Sequence, residues 1–147
     1  MLIRLRPTQI SLLWEDIKYS AIQANNIPQH NQGAYANKLL ENLLSAKFQC
    51  WIVFDFNEEN NRQIHAIGIT TIIEDNISGL RTLEILSLYG YRTLTDVIAM
   101  EGMRDLKEFA RKHGCLVIKA STNVQRIKNL AKLTRFEPKY ETFELEV

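Results

Sequence analysis

The chain has 147 residues, 46% of them apolar and 24% charged, with a formal net charge of +1. That profile excludes a disordered chain and a multi-span membrane protein, and the length suffices to bury one full core, so a single domain over residues 1–147 is expected. No apolar run approaches the roughly 20 residues that span a bilayer, and the opening MLIRLRPTQ lacks the long apolar stretch of a secretory signal, so a cytoplasmic location is expected.

Ile3 and Leu5 suggest a short first strand ended by Pro7. Thr8 is placed to cap a helix whose apolar residues Ile10, Leu13, Trp14, Ile17 and Ala21 recur at helical spacing. The polar run NNIPQHNQG reads as a loop, and Ala36, Leu39, Leu40, Leu43 and Leu44 then form the stripe of a second helix. Three β-rich stretches follow at residues 48–56, 64–73 and 81–89, separated by the turn sequences EENNR and DNISG. Short turns between consecutive strands imply an antiparallel meander.

The period then changes. Ala99, Gly102, Met103, Leu106, Phe109, Ala110 and His113 share a helix face, and Gly114 suits the end of that helix. CLVIKA, residues 115–120, has the nearly unbroken apolarity of a strand covered on both faces. Asn123 opens a last helix, buried through Ile127, Leu130, Ala131 and Thr134. YETFELEV then alternates as a final strand with Phe143, Leu145 and Val147 inward. The expected order is β-α-α-β-β-β-α-β-α-β. It describes an α/β mixed sheet, an antiparallel meander plus a parallel crossover, with helices on both faces.

Cys50 and Cys115 sit in apolar segments and read as buried thiols, and the three histidines form no spaced cluster with them, so no metal site is expected. Charge is uneven: residues 104–139 hold ten basic and three acidic side chains, residues 41–101 four basic and nine acidic. Arg104, Lys107, Arg111 and Lys112 share one helix face, with Arg126, Lys128, Lys132 and Arg135 on the next helix. They suit an acidic protein partner or nucleic-acid phosphates, or an oligomeric assembly, against the plainer reading of two solvated faces.

The order of elements resembles the GNAT superfamily of acyl-CoA-dependent N-acyltransferases over essentially the whole chain. LKEFARKHGCLVIKAST is similar to that family's third helix, closing glycine and fifth strand, and NVQRIKNLAKLTRFEPKYETFELEV to its last helix and strand, with Phe136 at the motif's phenylalanine. The departures are specific. Where the family's Q/R-x-x-G-x-G/A loop holds the CoA diphosphate at a helix N-terminus, this chain reads YGYRTLTDVIAMEG; Arg92 can open the motif, but Thr95 and Val97 replace its glycines and Asp96 adds a repulsive charge. Ala131 stands where many members carry a catalytic tyrosine, and Arg135 replaces the glycine before Phe136.

The resemblance implies two alternatives. One is a non-catalytic GNAT-shaped structural or interaction protein requiring no cofactor, similar to small phage proteins with eroded loops, and hence a virion component or a protein of the host cytoplasm. The other is a divergent N-acyltransferase using acetyl-CoA or another acyl-CoA. For the second, the resemblance nominates Glu84 as base and Tyr140 as substitute acid, with Tyr89 and Tyr91 as other candidate acids. It nominates Ser87, Leu88, Tyr89, Arg92 and Asn123 for cofactor binding. Against these stand a salt-bridged Glu84, core tyrosines and a helix-capping Asn123.

Overall fold

The structure, a computed structural model, describes residues 1–122 and 124–147. Its sheet has five strands in the order β1 (Leu2–Arg4), β2 (Phe48–Phe56), β3 (Arg62–Glu74), β4 (Arg81–Gly90) and β5 (Cys115–Ala120). The first four pair antiparallel, as their short turns require, and β4 pairs parallel with β5. Parallel neighbours need a crossover, supplied by the helix α4 (Asp96–Lys112).

Cys50 and Ile52 of β2 and Ile67 and Ile69 of β3 point to one face of the sheet. There they meet Ile10, Ile17, Leu39 and Leu43, from helices α1 (Pro7–Leu12), α2 (Trp14–Asn25) and α3 (Gln32–Leu44). Full burial of each such side chain stabilises the fold by about 1.5–3 kcal/mol. The opposite face carries a second cluster of Leu83, Ala110 and Cys115, flanked by Ile72, Leu106 and Phe109 beneath α4. Trp51, which alternates with Cys50 and Ile52, meets the Phe109 ring edge-on at 5.0 Å, so the two cores share the strands between them. A last helix, α5 (Gln125–Leu133), follows β5. Both thiols are free and buried, as expected, and no helix among the described residues is long and apolar enough to cross a membrane.

Four details differ from the expectation. β5, read as covered on both faces, is the edge strand of the sheet, with Leu116, Val117, Lys119 and Ala120 exposed; apolarity alone does not say what covers a strand. The first helix starts at Pro7, a residue pre-set for that position, and Arg6 takes the cap place, its N–H donating to Gln9 Oε1 at 2.8 Å; Thr8 lies inside the first turn. The same apolar stripe is split at Leu13 into α1 and α2, a break that the spacing does not mark because both halves keep their apolar side on the sheet. The final strand does not form: residues 137–147 join no sheet, and Tyr140, Phe143, Leu145 and Val147 stay exposed. Alternation fixes which side chains share a face, but it names no partner.

Candidate functional site

β4 is hydrogen-bonded to β3 along its length, whereas its pairing with β5 stops at Ile85 and Ala120. Beyond that point the two parallel strands part. Among the described residues no strand covers the β5-side edge of residues 86–90, and its backbone groups face the gap. The β3–β4 register also shifts here: Ile69 pairs with Ser87 and Thr70 with Ile85, leaving Leu86 as an extra residue. A bulge of this kind bends the strand and re-aims the side chains on either side of it. Leu86 turns into the helix-covered core, and Ser87 is only 5% exposed, its hydroxyl buried without a hydrogen-bond partner among the described residues.

The fork opens into a cavity of about 250 Å³ bounded by β4, the end of α2 near Asn25, residues 120–122 and α5. Ser87, Leu88 and Tyr89 line it together with Arg126, Ile127 and Leu130. A second hollow of similar size adjoins it under the link from β4 to α4, where Arg92, Thr93 and Asp96 face Arg126 and Asn129. Gly90 matters at this junction, since a β-carbon there would come within 3.3 Å of both Arg126 Nη2 and the Arg92 carbonyl.

The link itself is tied down. The N–H groups of Tyr91 and Arg92 donate to the His65 carbonyl at 2.8 and 3.3 Å, and the Tyr91 hydroxyl donates to the Asp16 carbonyl at 3.1 Å. Tyr19, Tyr89 and Tyr91 form a chain of edge-to-face rings, at 5.8 and 5.1 Å, joining α2 to the end of β4. Burial, with Asp16 nearby, pushes the Tyr91 phenol up to about 12. The Tyr89 phenol is raised too, chiefly by the Tyr19 hydroxyl. Both stay protonated at neutral pH.

The start of α4 serves itself. Thr95 Oγ1 accepts from the Ile98 N–H at 3.3 Å, and Asp96 places its carboxylate in the first turn. An N-terminus so capped, with an acid beside it, offers little to a diphosphate.

The remaining candidates fall outside the fork. Glu84 sits opposite Thr71 on β3 and Lys119 on β5, inside the paired part of the strand, and Tyr140 is 84% exposed with its ring 5.6 Å from the Lys119 ammonium. Asn123 lies outside the described residues. The basic set divides: Arg126 faces the fork, whereas Lys107, Arg111 and Arg135 border a groove beside β5. Arg104 lies 3.9 Å from Asp105 and Lys112 2.9 Å from Glu108, while Lys128 and Lys132 are exposed on α5. Sequence reasoning missed the bulge at Leu86 and the tyrosine chain; the unresolved alternation of residues 83–88 was the available sign of the first.

No protein-family model matches the sequence, and a search of curated proteins finds no match. Solved structures do. A predicted acetyltransferase from Clostridium acetobutylicum, solved with acetyl-CoA, superposes with a TM-score of 0.72 at 20% identity over 99% of this chain and 95% of its own. An aminoglycoside acetyltransferase from an uncultured soil metagenomic sample, in complex with sisomicin, gives 0.71 at 14% identity over 100% and 95%. A GNAT family acetyltransferase from Staphylococcus aureus gives 0.64 at 12% identity over 100% and 98%. The fold is therefore a divergent GNAT fold, as the order of elements suggested.

Proposed function

We propose that the fork takes the acyl-pantetheine arm of an acyl-CoA and that the chain transfers the acyl group to an amine. The observation that supports this most is the edge of residues 86–90, uncovered among the described residues, beside a buried Ser87 hydroxyl that finds no partner among them. A strand edge can hydrogen-bond the amides of an extended arm much as it would another strand, and the neighbouring cavity holds a short acyl chain. The acetyltransferase solved with acetyl-CoA is in keeping with that ligand class.

In this reading the backbone N–H groups of the uncovered edge steady the carbonyl oxygen while the neutral amine attacks the carbonyl carbon. The C–N bond forms, the C–S bond breaks, and the thiolate takes a proton from the Tyr89 phenol, which lines the fork and which Tyr19 keeps protonated. The attacking nitrogen loses its proton to water. Glu84 and Tyr140 take no part, because neither lines the cavity.

The residues present fit the arm of the ligand and not its diphosphate. Acetyl-CoA is therefore expected to bind with a dissociation constant of roughly a millimolar, and acetyl-pantetheine within a few-fold of it. Calorimetric titration with both ligands tests this. A constant below about 10 μM for acetyl-CoA alone means that Arg92 and Arg126 grip the diphosphate after all. Binding of neither ligand at millimolar concentration removes the reading.

A second reading rests on Thr95 and Asp96, which fill the place of the anion with the protein's own groups. The chain is then a GNAT-shaped interaction protein, a virion component among the options, whose basic α4 and α5 meet an acidic protein or nucleic-acid phosphates. Binding without acyl transfer, weakened by Lys107→Glu with Arg111→Glu and by added salt, supports this alternative.

A further inference from the structure

The fork is closed at one end and open at the other. β4 and β5 stay paired as far as Ile85 and Ala120, so an extended arm enters from the Gly90 end with its tip toward Ser87. Lying along residues 86–90, such an arm covers about 16 Å and leaves the fork beside Gly90. Arg126 stands at that point. Its Nη2 lies 3.3 Å from where a Gly90 β-carbon would be, and the residue borders both the fork cavity and the adjoining hollow. Arg92 borders the same hollow from the β4–α4 link.

Charge decides what can follow the arm. Thr95 and Asp96 hold the start of α4 against a diphosphate. A phosphodiester carries a single negative charge, and one guanidinium can hold it through paired N–H donors. Past Arg126 the surface is basic. The helix α5 contains Arg126, Lys128 and Lys132 and no acid, and Lys128 and Lys132 are exposed one turn apart. Among the described residues, neither these three side chains nor Arg92 is in an ion pair. Leu133, 38% exposed, adds an apolar contact at the rim of the hollow.

We propose that the acyl donor is a small acidic carrier protein, its acyl group borne on a phosphopantetheine arm that a single phosphodiester joins to the carrier. This rests on the reading of the fork as the site of the arm, and it names what delivers that arm. The arm enters the fork, its phosphodiester meets Arg126 and Arg92, and acidic side chains of the carrier lie over Lys128 and Lys132. Contact with the carrier then supplies the affinity that the capped helix denies to a diphosphate. The transfer keeps its balance. The C–N bond to the amine forms, the C–S bond breaks, the thiolate on the carrier's arm takes the Tyr89 proton, and the amine nitrogen loses its proton to water.

Calorimetric titration of the full-length chain tests this with four probes: acetyl-pantetheine, acetyl-CoA, and a bacterial acyl carrier protein with and without its acetylated arm. The armed carrier is expected to bind at least tenfold more tightly than acetyl-CoA, and the armless carrier at least tenfold more weakly than the armed one. Arg126→Glu, and separately Lys128→Glu with Lys132→Glu, should each weaken the armed carrier at least tenfold while the circular-dichroism spectrum stays the same. Added salt should weaken it in the unaltered chain. If acetyl-pantetheine binds but the armed carrier binds no more tightly than acetyl-CoA, the carrier proposal falls and the reading of the fork stands. If no probe binds, both fall. A carrier held equally well with and without its arm also overturns the proposal, because the fork then takes no part. So does full binding by both charge-reversed variants.

Discussion

Arg135 has a backbone φ of +67°, in the left-handed region where a β-carbon is unfavourable. It sits there because the end of α5 demands it. The Phe136 N–H donates to the Ala131 carbonyl at 2.9 Å and the Arg135 N–H to Lys132 at 3.1 Å, a closure that turns through one left-handed residue. Glycine is the residue that suits this position, which explains the Gly-Phe pair of the motif that the sequence resembles. Arg135→Gly is expected to raise stability by about 0.5–1 kcal/mol, read from urea denaturation; a loss would mean that the guanidinium contributes more than the strain costs. The replacement was legible in the sequence, but the strain was not, since arginine carries no sign of positive φ. Cys50 supports a second prediction. Burial pushes its thiol from an ordinary 9.0 to about 12, so the folded state keeps this proton longer than the unfolded one. The stabilisation is complete below pH 9 and is lost as pH rises toward 12. Tyr91, raised from 10.0 to about 12, acts in the same direction over the upper part of that window. Stability should therefore fall across pH 9–12, and Cys50→Ala should flatten the fall even if it lowers the starting value; an unchanged slope would show that Cys50 does not titrate in this way.

At the scale of elements, the start of α4 shows how a fold can keep a junction and alter its chemistry. Thr95 caps the helix and Asp96 favours its positive end, so each stabilises α4, and together they disfavour an incoming anion. The two effects can be separated. Thr95→Ala should cost about 1 kcal/mol of stability without improving ligand binding. Asp96→Asn should cost under about 1 kcal/mol and strengthen acetyl-CoA binding several-fold, most clearly at low salt. If acetyl-CoA binds Asp96→Asn no better than the unaltered chain, the diphosphate does not approach this helix. The sequence displayed the loss of glycines here because it is a local matter of residue type. The fork at Ser87, Leu88 and Tyr89 was legible only through the resemblance, because it depends on where β4 and β5 stop pairing, and the bulge that buries Ser87 was not legible at all. The fork is set by pairing between residues about 35 apart in the chain and the bulge by pairing between residues about 18 apart, and Leu83, Ile85, Leu86 and Leu88 fit either face equally well. The last strand failed for a related reason: its alternation is clear, and its partner lies beyond what spacing encodes.

For the whole molecule, the question is whether the two cores behave as one. The helix-covered cluster and the α4 cluster contain different residues, yet β3 contributes Ile67 and Ile69 to one side and Ile72 to the other. Leu83, on β4, pairs directly with Ile72. Opening either face would expose the back of strands that the other face needs, which makes independent unfolding costly and a single transition the expected behaviour. Leu43→Ala, on the buried side of α3, and Leu83→Ala, beneath α4, remove side chains that are almost wholly buried, and each should cost about 2–5 kcal/mol. Both variants should still melt in one step, with circular dichroism and tryptophan fluorescence coinciding. Trp51 lies on the α4 side and Trp14 packs on the other, so each face carries a reporter. If Leu83→Ala splits the melt so that the Trp51 signal is lost before the Trp14 signal, then β5 and α4 form a separate unit, and the fork between β4 and β5 is a boundary along which the sheet can part.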